Sequence, residues 1–126
     1  GVEITDGVGV MGYGMHMAGK ATFRVPVSRH AEALNAIAKA GFKAATTLVH
    51  TLEYTCWYPK LDAEYNIIGL LFHGENLHDE DKLFAALGPF VEGGGCIEMV
   101  GEDGDRWRWT FDGNVMRKMI PRVAWE

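Results

Sequence analysis

Cysteine is scarce in this sequence: Cys56 and Cys96 are the only two in 126 residues, each set among apolar or aromatic neighbours in a predicted strand. Their number and spacing supply neither a disulfide framework nor a zinc site, so two small buried thiols in a reducing compartment are expected. Long apolar runs are missing too. None approaches the ~20 residues that a membrane-spanning helix needs. No basic stretch followed by an apolar core marks export, and the reading is a cytoplasmic protein with no membrane partner. Positive charge is in deficit. Seventeen acidic residues against twelve basic give a formal charge of −5, and the chain lacks the overall positive field that non-specific nucleic-acid binding draws on.

What is present is apolar. With 48% hydrophobic residues, a chain of this length can bury a core without a metal or staple. Residues 1–14, rich in glycine and without period, read as a flexible lead-in, and residues 15–126 as one domain.

The β-branched and aromatic residues of Met15 to Val27 predict a strand ending near Pro26. Ser28 then offers a cap for a helix over 28–40, with Leu34, Ile37 and Ala38 on its apolar face and Gly41 ending it. Residues 44–53 mix helical spacing with threonines and read as a short helix. Tyr54–Leu61 and Asn66–His73 are two extended runs joined by a hairpin connection, with Ile68, Leu70 and Phe72 sharing a face. Asp79 can cap a second helix, in which Glu80 and Asp81 suit the positive end of the dipole. Leu83, Phe84 and Leu87 recur along it, and Gly88-Pro89 ends it. Strands follow at Cys96–Glu102, Asp105–Phe111 and Val115–Ile120. The order is that of a ferredoxin-like βαββαβ sandwich with an extra C-terminal β-hairpin, an α+β fold with its helices on one face of an antiparallel sheet.

Asp103-Gly104 signals a two-residue type I′ turn, and that turn sets a register. Cys96, Glu98 and Val100 then face Phe111, Trp109 and Trp107, while Ile97, Met99 and Gly101 face Thr110, Arg108 and Arg106. Glu98 becomes a carboxylate between two tryptophans. It is then a satisfied structural group or a special carboxylate with a raised pKa.

Several motifs fail on their chemistry. Gly14-Met-His-Met-Ala-Gly19-Lys20-Ala21 is close to a phosphate-cradling loop, but Ala21 replaces the hydroxyl that holds magnesium and no helix follows. Gly7-Val-Gly9-Val-Met-Gly12 has no βαβ context. His73, Glu75 and His78 offer a loop of metal-capable groups without a completing ligand, so no metal and no cofactor are assigned.

The runs Asn66–Leu77, Lys82–Glu92, Ile97–Gly104 and Trp107–Phe111, above all G-E-D-G-x-x-W-R-W-x-F, resemble a group of small bacteriophage and mobile-element proteins. The resemblance spans roughly residues 54–115. It implies an accessory gene product working in the host cell cytoplasm, and it carries over no activity or catalytic residue. The leading expectation is therefore a non-enzymatic protein that binds a host or phage protein. Glu75, Asp79, Glu80 and Asp81 on one segment and Arg106 and Arg108 on the open sheet face are its contact residues. The alternatives are nucleic-acid binding through that sheet face, and a small-molecule or nucleotide-handling enzyme using the Gly14–Lys20 loop or Glu98. The sequence is compatible with a homo-oligomer.

Overall fold

The computed structural model describes residues 14–74 and 79–121. The rest of the lead-in with its Gly7–Gly12 run, Glu75, His78 and residues 122–126 lie outside them. The elements run β1 (Met15–Met17), α1 (His30–Lys39), α2 (Leu48–Glu53), β2 (Trp57–Leu61), β3 (Ile67–Phe72), α3 (Glu80–Leu87), β4 (Gly95–Gly101), β5 (Arg106–Phe111) and β6 (Met116–Met119). β1-β4-β5-β6 form an antiparallel four-stranded sheet, and β2 and β3 form a separate hairpin. The fold is α+β.

The strand expected over Met15–Val27 is interrupted, because one segment serves two partners. It pairs with β4 as far as Met17 and bends at Ala18-Gly19, where Gly19 has φ 152°. It bridges Cys96 through Thr22, and then exchanges backbone bonds of 3.0 Å with Ile67 of β3 through Val25. The first helix also starts later than expected. Val27–Arg29 form a 3-10 turn that takes in Ser28, no side chain caps it or α1, and the Asn66 side chain accepts the Val27 N–H at 2.8 Å. Ala33 and Ile37 are the buried residues of α1, a face rotated from the one expected.

α2 falls inside the expected segment, and the Thr47 hydroxyl accepts the His50 N–H at 3.1 Å. Asp79 precedes α3 as expected but does not cap it with its side chain. Its backbone is left-handed, φ 66° and ψ 47°, whereas capping needs extended backbone to aim the carboxylate at the first turn.

The core gathers around Phe84 of α3. Its ring lies 4.9 Å from Trp109, 5.1 Å from Trp57, 6.1 Å from Phe111 and 6.2 Å from Phe23, centroid to centroid. A single helix residue thereby joins the hairpin β2-β3 to the larger sheet. At the other end of α3, Gly88 lies against the backbone of Val115 and Met116.

The β4-β5 register differs from the expected one by one residue. Ile97 faces Trp109, Met99 faces Trp107 and Gly95 faces Phe111, so these line the buried side. Glu98 faces Arg108, Val100 faces Arg106 and Cys96 faces Thr110 on the outer side. The turn chemistry explains the slip. Gly104 takes a positive φ of 90° and Asp103 does not. The Gly104 N–H donates to the Gly101 carbonyl at 3.0 Å and the Gly101 N–H to the Asp105 carbonyl at 2.7 Å. The loop is thus three residues with a glycine bulge instead of a two-residue type I′ turn, and one extra residue moves every cross-strand partner by one.

The next turn is held by Asp112, whose carboxylate accepts the N–H groups of Asn114 and Val115 at 2.9 Å each. Those backbone bonds, with Arg117 beside them, lower its pKa from 3.8 to about 2. A depressed folded pKa gives stability that is present above 3.8 and lost as pH falls through about 2. Asp112→Ala is expected to destabilise the protein at pH 7 and to differ progressively less from the parent between pH 4 and pH 2, measured by urea unfolding across pH.

Candidate functional site

On the buried side of the sheet, at its β6 end, the tryptophans leave a groove instead of a closed core. Arg108 pairs with Met119 and Trp109 with Lys118, so the register carries Ile120 to Trp107. Lys118 and Ile120 therefore share a face with Trp109 and Trp107, and the first turn of α3 rises on the other side. The space between holds about 510 Å³ and is bordered by Asp79, Asp81, Asp105, Arg106, Trp107 and Ile120, among others.

Its polar groups are fixed by bonds from within the fold. The Trp109 indole N–H donates to Asp81 Oδ1 at 2.8 Å, and Lys118 Nζ to Oδ2 at 3.1 Å. Lys118 also lies 5.6 Å from the centre of the Trp107 ring. Asp81 thereby ties α3 to β5 and β6. Asp79 stands at the rim, exposed, in its left-handed conformation, and Asp105 is exposed on the hairpin.

The residues expected to contact a partner separate in space. Asp79 and Asp81 come together at the groove, whereas Arg106 only borders it and turns its guanidinium to Glu98 on the outer face. Glu80 turns inward: it is 1% exposed, and its carboxylate accepts the Trp57 indole N–H at 3.1 Å. A residue buried against the core tryptophan is a structural acceptor and cannot reach a partner's surface. Arg108 is on the outer face.

Glu98 is not between tryptophans. It lies on the outer face, where Arg108 Nε donates to Oε1 at 3.0 Å and Arg106 Nε to Oε2 at 3.2 Å. The Arg106 bond, the largest effect, acts with Arg108 to hold its carboxyl below the usual range against the opposing effect of burial. The raised pKa that a buried lone carboxylate would have is thus reversed in direction, because the one-residue slip places two guanidinium groups beside it. Glu98→Gln is expected to cost ~1 kcal/mol at pH 7, the upper range for a half-exposed pair. The sign follows from the lowered folded pKa: the loss is full above the ordinary 4.5 and fades as pH falls below it. Equal stability of parent and variant at pH 7 would contradict this.

The remaining candidates are scattered. Gly14–Lys20 forms β1 and a bend, with no helix behind it to receive a phosphate. His73 is exposed, its ring edge-on to Tyr58 at 6.3 Å.

The sequence reading missed Trp107, Lys118 and Ile120 as groove residues. The signal was there in the two-residue alternation that puts Lys118 and Ile120 on the tryptophan side once the second hairpin is paired. No family model, curated protein or solved structure matches the chain. Among the described residues no helix is long and apolar enough to cross a membrane.

Proposed function

We propose that the chain is a non-enzymatic binding module for another protein, and that the groove between α3 and β5-β6 receives a partner segment with apolar and basic side chains. The observation carrying this is the convergence of Asp79 and Asp105 at the rim of an indole floor, beside an Asp81 already bonded to Trp109 and Lys118. An acidic rim attracts cations, and an aromatic floor gives apolar or guanidinium groups a surface on which to pack. The resemblance to bacteriophage and mobile-element proteins supports a partner from the host or the phage, met in the host cytoplasm.

We read the architecture that holds this groove as ferredoxin-like. The Val25–Ile67 bridge would join the two sheets in the order β6-β5-β4-β1-β3-β2, with β5 and β6 as the added hairpin. In that reading the groove belongs to the addition.

The alternative of nucleic-acid binding on the outer face is weakened by charge pairing. Arg106 and Arg108 share Glu98, and Arg117 Nη1 sits 2.7 Å from Asp112, so phosphate would have to compete with carboxylates already in place.

Asp79→Asn removes a rim charge while keeping a residue that tolerates left-handed backbone. Combined with Asp105→Asn, it is expected to weaken retention of the partner captured from host lysate about tenfold at low salt, corresponding to ~1.4 kcal/mol. Parent affinity should fall with added salt. Unchanged affinity of the double variant, with no salt dependence, would remove the groove from the binding surface.

A further inference from the structure

We infer that the helix layer carries a second docking surface, for an acidic segment of a partner protein, around Gly41, where α1 packs against α2 and α3. It does not depend on the groove. The local sequence builds it. Gly41 has φ 101°, its N–H donates to the Ala38 carbonyl at 3.0 Å and the Phe42 N–H donates to the Ile37 carbonyl at 3.3 Å. A left-handed glycine thus closes α1 and turns the chain. Phe42 is half-buried against the core, and Lys43 stands exposed with its ammonium 4.5 Å from the centre of the Tyr54 ring at the end of α2. From α3, Lys82 reaches the same turn. Its ammonium lies 5.5 Å from the centre of the Phe42 ring, and a Cβ on Gly41 would be 3.5 Å from it. Lys39, in the last turn of α1, is exposed two residues before Gly41.

These three lysines differ from the other cations of the helix and sheet ends in having no acid. Arg24, Arg29, Arg106, Arg108 and Arg117 each pair with a carboxylate, and Lys118 pairs with Asp81. No carboxylate among the described residues pairs with Lys39, Lys43 or Lys82, in a chain with seventeen acidic residues to twelve basic. Asp81, the neighbour of Lys82, is taken by Trp109 and Lys118. The rings of Phe42 and Tyr54 attract two of the ammonium groups without neutralising them or using up their N–H donors. The C-terminal end of α1 offsets about half a unit of charge. Most of three positive charges is therefore left for an outside anion, on side chains already positioned.

The same contacts choose among anions. Single-stranded nucleic acid stacks its bases on open aromatic faces, and here the protein's own lysines stand over both rings. The net charge of −5 also opposes a long polyanion. A short protein segment with Asp or Glu spaced by small apolar residues suits three ammonium groups with Ala38 and Ala44 exposed beside them. Its sign is opposite to that of the segment proposed for the groove, so the two surfaces do not compete for one occupant.

The test uses the whole chain and a fluorescein-labelled dodecapeptide of Asp and Glu spaced by Ala and Leu, followed by anisotropy at low salt. Lys43→Gln/Lys82→Gln is expected to weaken binding about tenfold. Lys20→Gln/Lys60→Gln removes the same charge from the bend after β1 and from β2, and is expected to change binding less than about twofold. The peptide should also shift the amide signals of Phe42 and Lys43. Equal losses in the two double variants, or no binding by the peptide, would overturn the inference. Tighter binding of an oligothymidylate of equal charge would overturn it by giving the surface to nucleic acid. Dimers in sedimentation that Lys43→Gln/Lys82→Gln abolishes would overturn it by giving the surface to a second copy.

Discussion

Phe84→Ala is expected to destabilise the protein by ~4 kcal/mol, which for a domain of this size is a large share of the total. The ring is 0% exposed and touches Phe23, Trp57, Trp109 and Phe111, which come from three separate parts of the chain. Truncation removes the transfer free energy of a phenyl group and leaves a cavity walled by large rings that cannot easily close in. Phe84→Leu keeps much of the volume, and its expected cost is only ~1 to 1.5 kcal/mol. Chemical denaturation of the three proteins checks the ratio. Losses below 1 kcal/mol for alanine would mean that α3 is not the joint between the hairpin β2-β3 and the larger sheet.

The second large effect is expected at Gly88, where two physical arguments point in opposite directions. Its φ of −47° and ψ of −46° are helical, so propensity alone favours alanine by up to ~1 kcal/mol. Sterics oppose this. An alanine Cβ would stand 2.7 Å from the Met116 nitrogen, 3.1 Å from the Val115 carbonyl carbon and 3.2 Å from its Cα, all backbone atoms that cannot rotate away. Overpacking of this kind costs ~1 to 3 kcal/mol and here should prevail, giving a net loss of ~2 kcal/mol for Gly88→Ala. The displacement should also move the β6 edge and weaken partner binding. A stabilised Gly88→Ala protein would show that the β5-β6 turn yields freely.

These two residues also show how much of the molecule was legible beforehand. Phe84 was visible as core from its spacing with Leu83 and Leu87, because helical periodicity reports burial without knowledge of the partner. Gly88 was read as a helix terminator, and its role as a point of close approach depends on where a turn 27 positions later comes to rest. Local signals found α2, β3 and the three C-terminal strands. They failed where the local backbone took another conformation: Asp79 has the right residue type for a cap but the wrong φ, and Ser28 lies inside the 3-10 turn Val27–Arg29 and caps no helix.

The candidate site divides in the same way. Asp79 and Asp81 could be named from charge alone, but that they border one groove with Trp107 was invisible in sequence, as was the burial of Glu80 against Trp57. Glu98 depended on one residue of register. A two-residue turn would have set it between indoles, and a three-residue loop set it between arginines, reversing the direction of its pKa shift.

By itself the sequence determined the α+β class, the alternation that makes Trp107, Trp109 and Phe111 a single buried face, and the excess of acid over base, because composition and periodicity are properties of the chain alone. The tertiary structure decided which residues oppose one another and which acidic groups face outward. Each of those depends on a turn's φ angle or on a contact between distant segments, and neither is written in a local pattern.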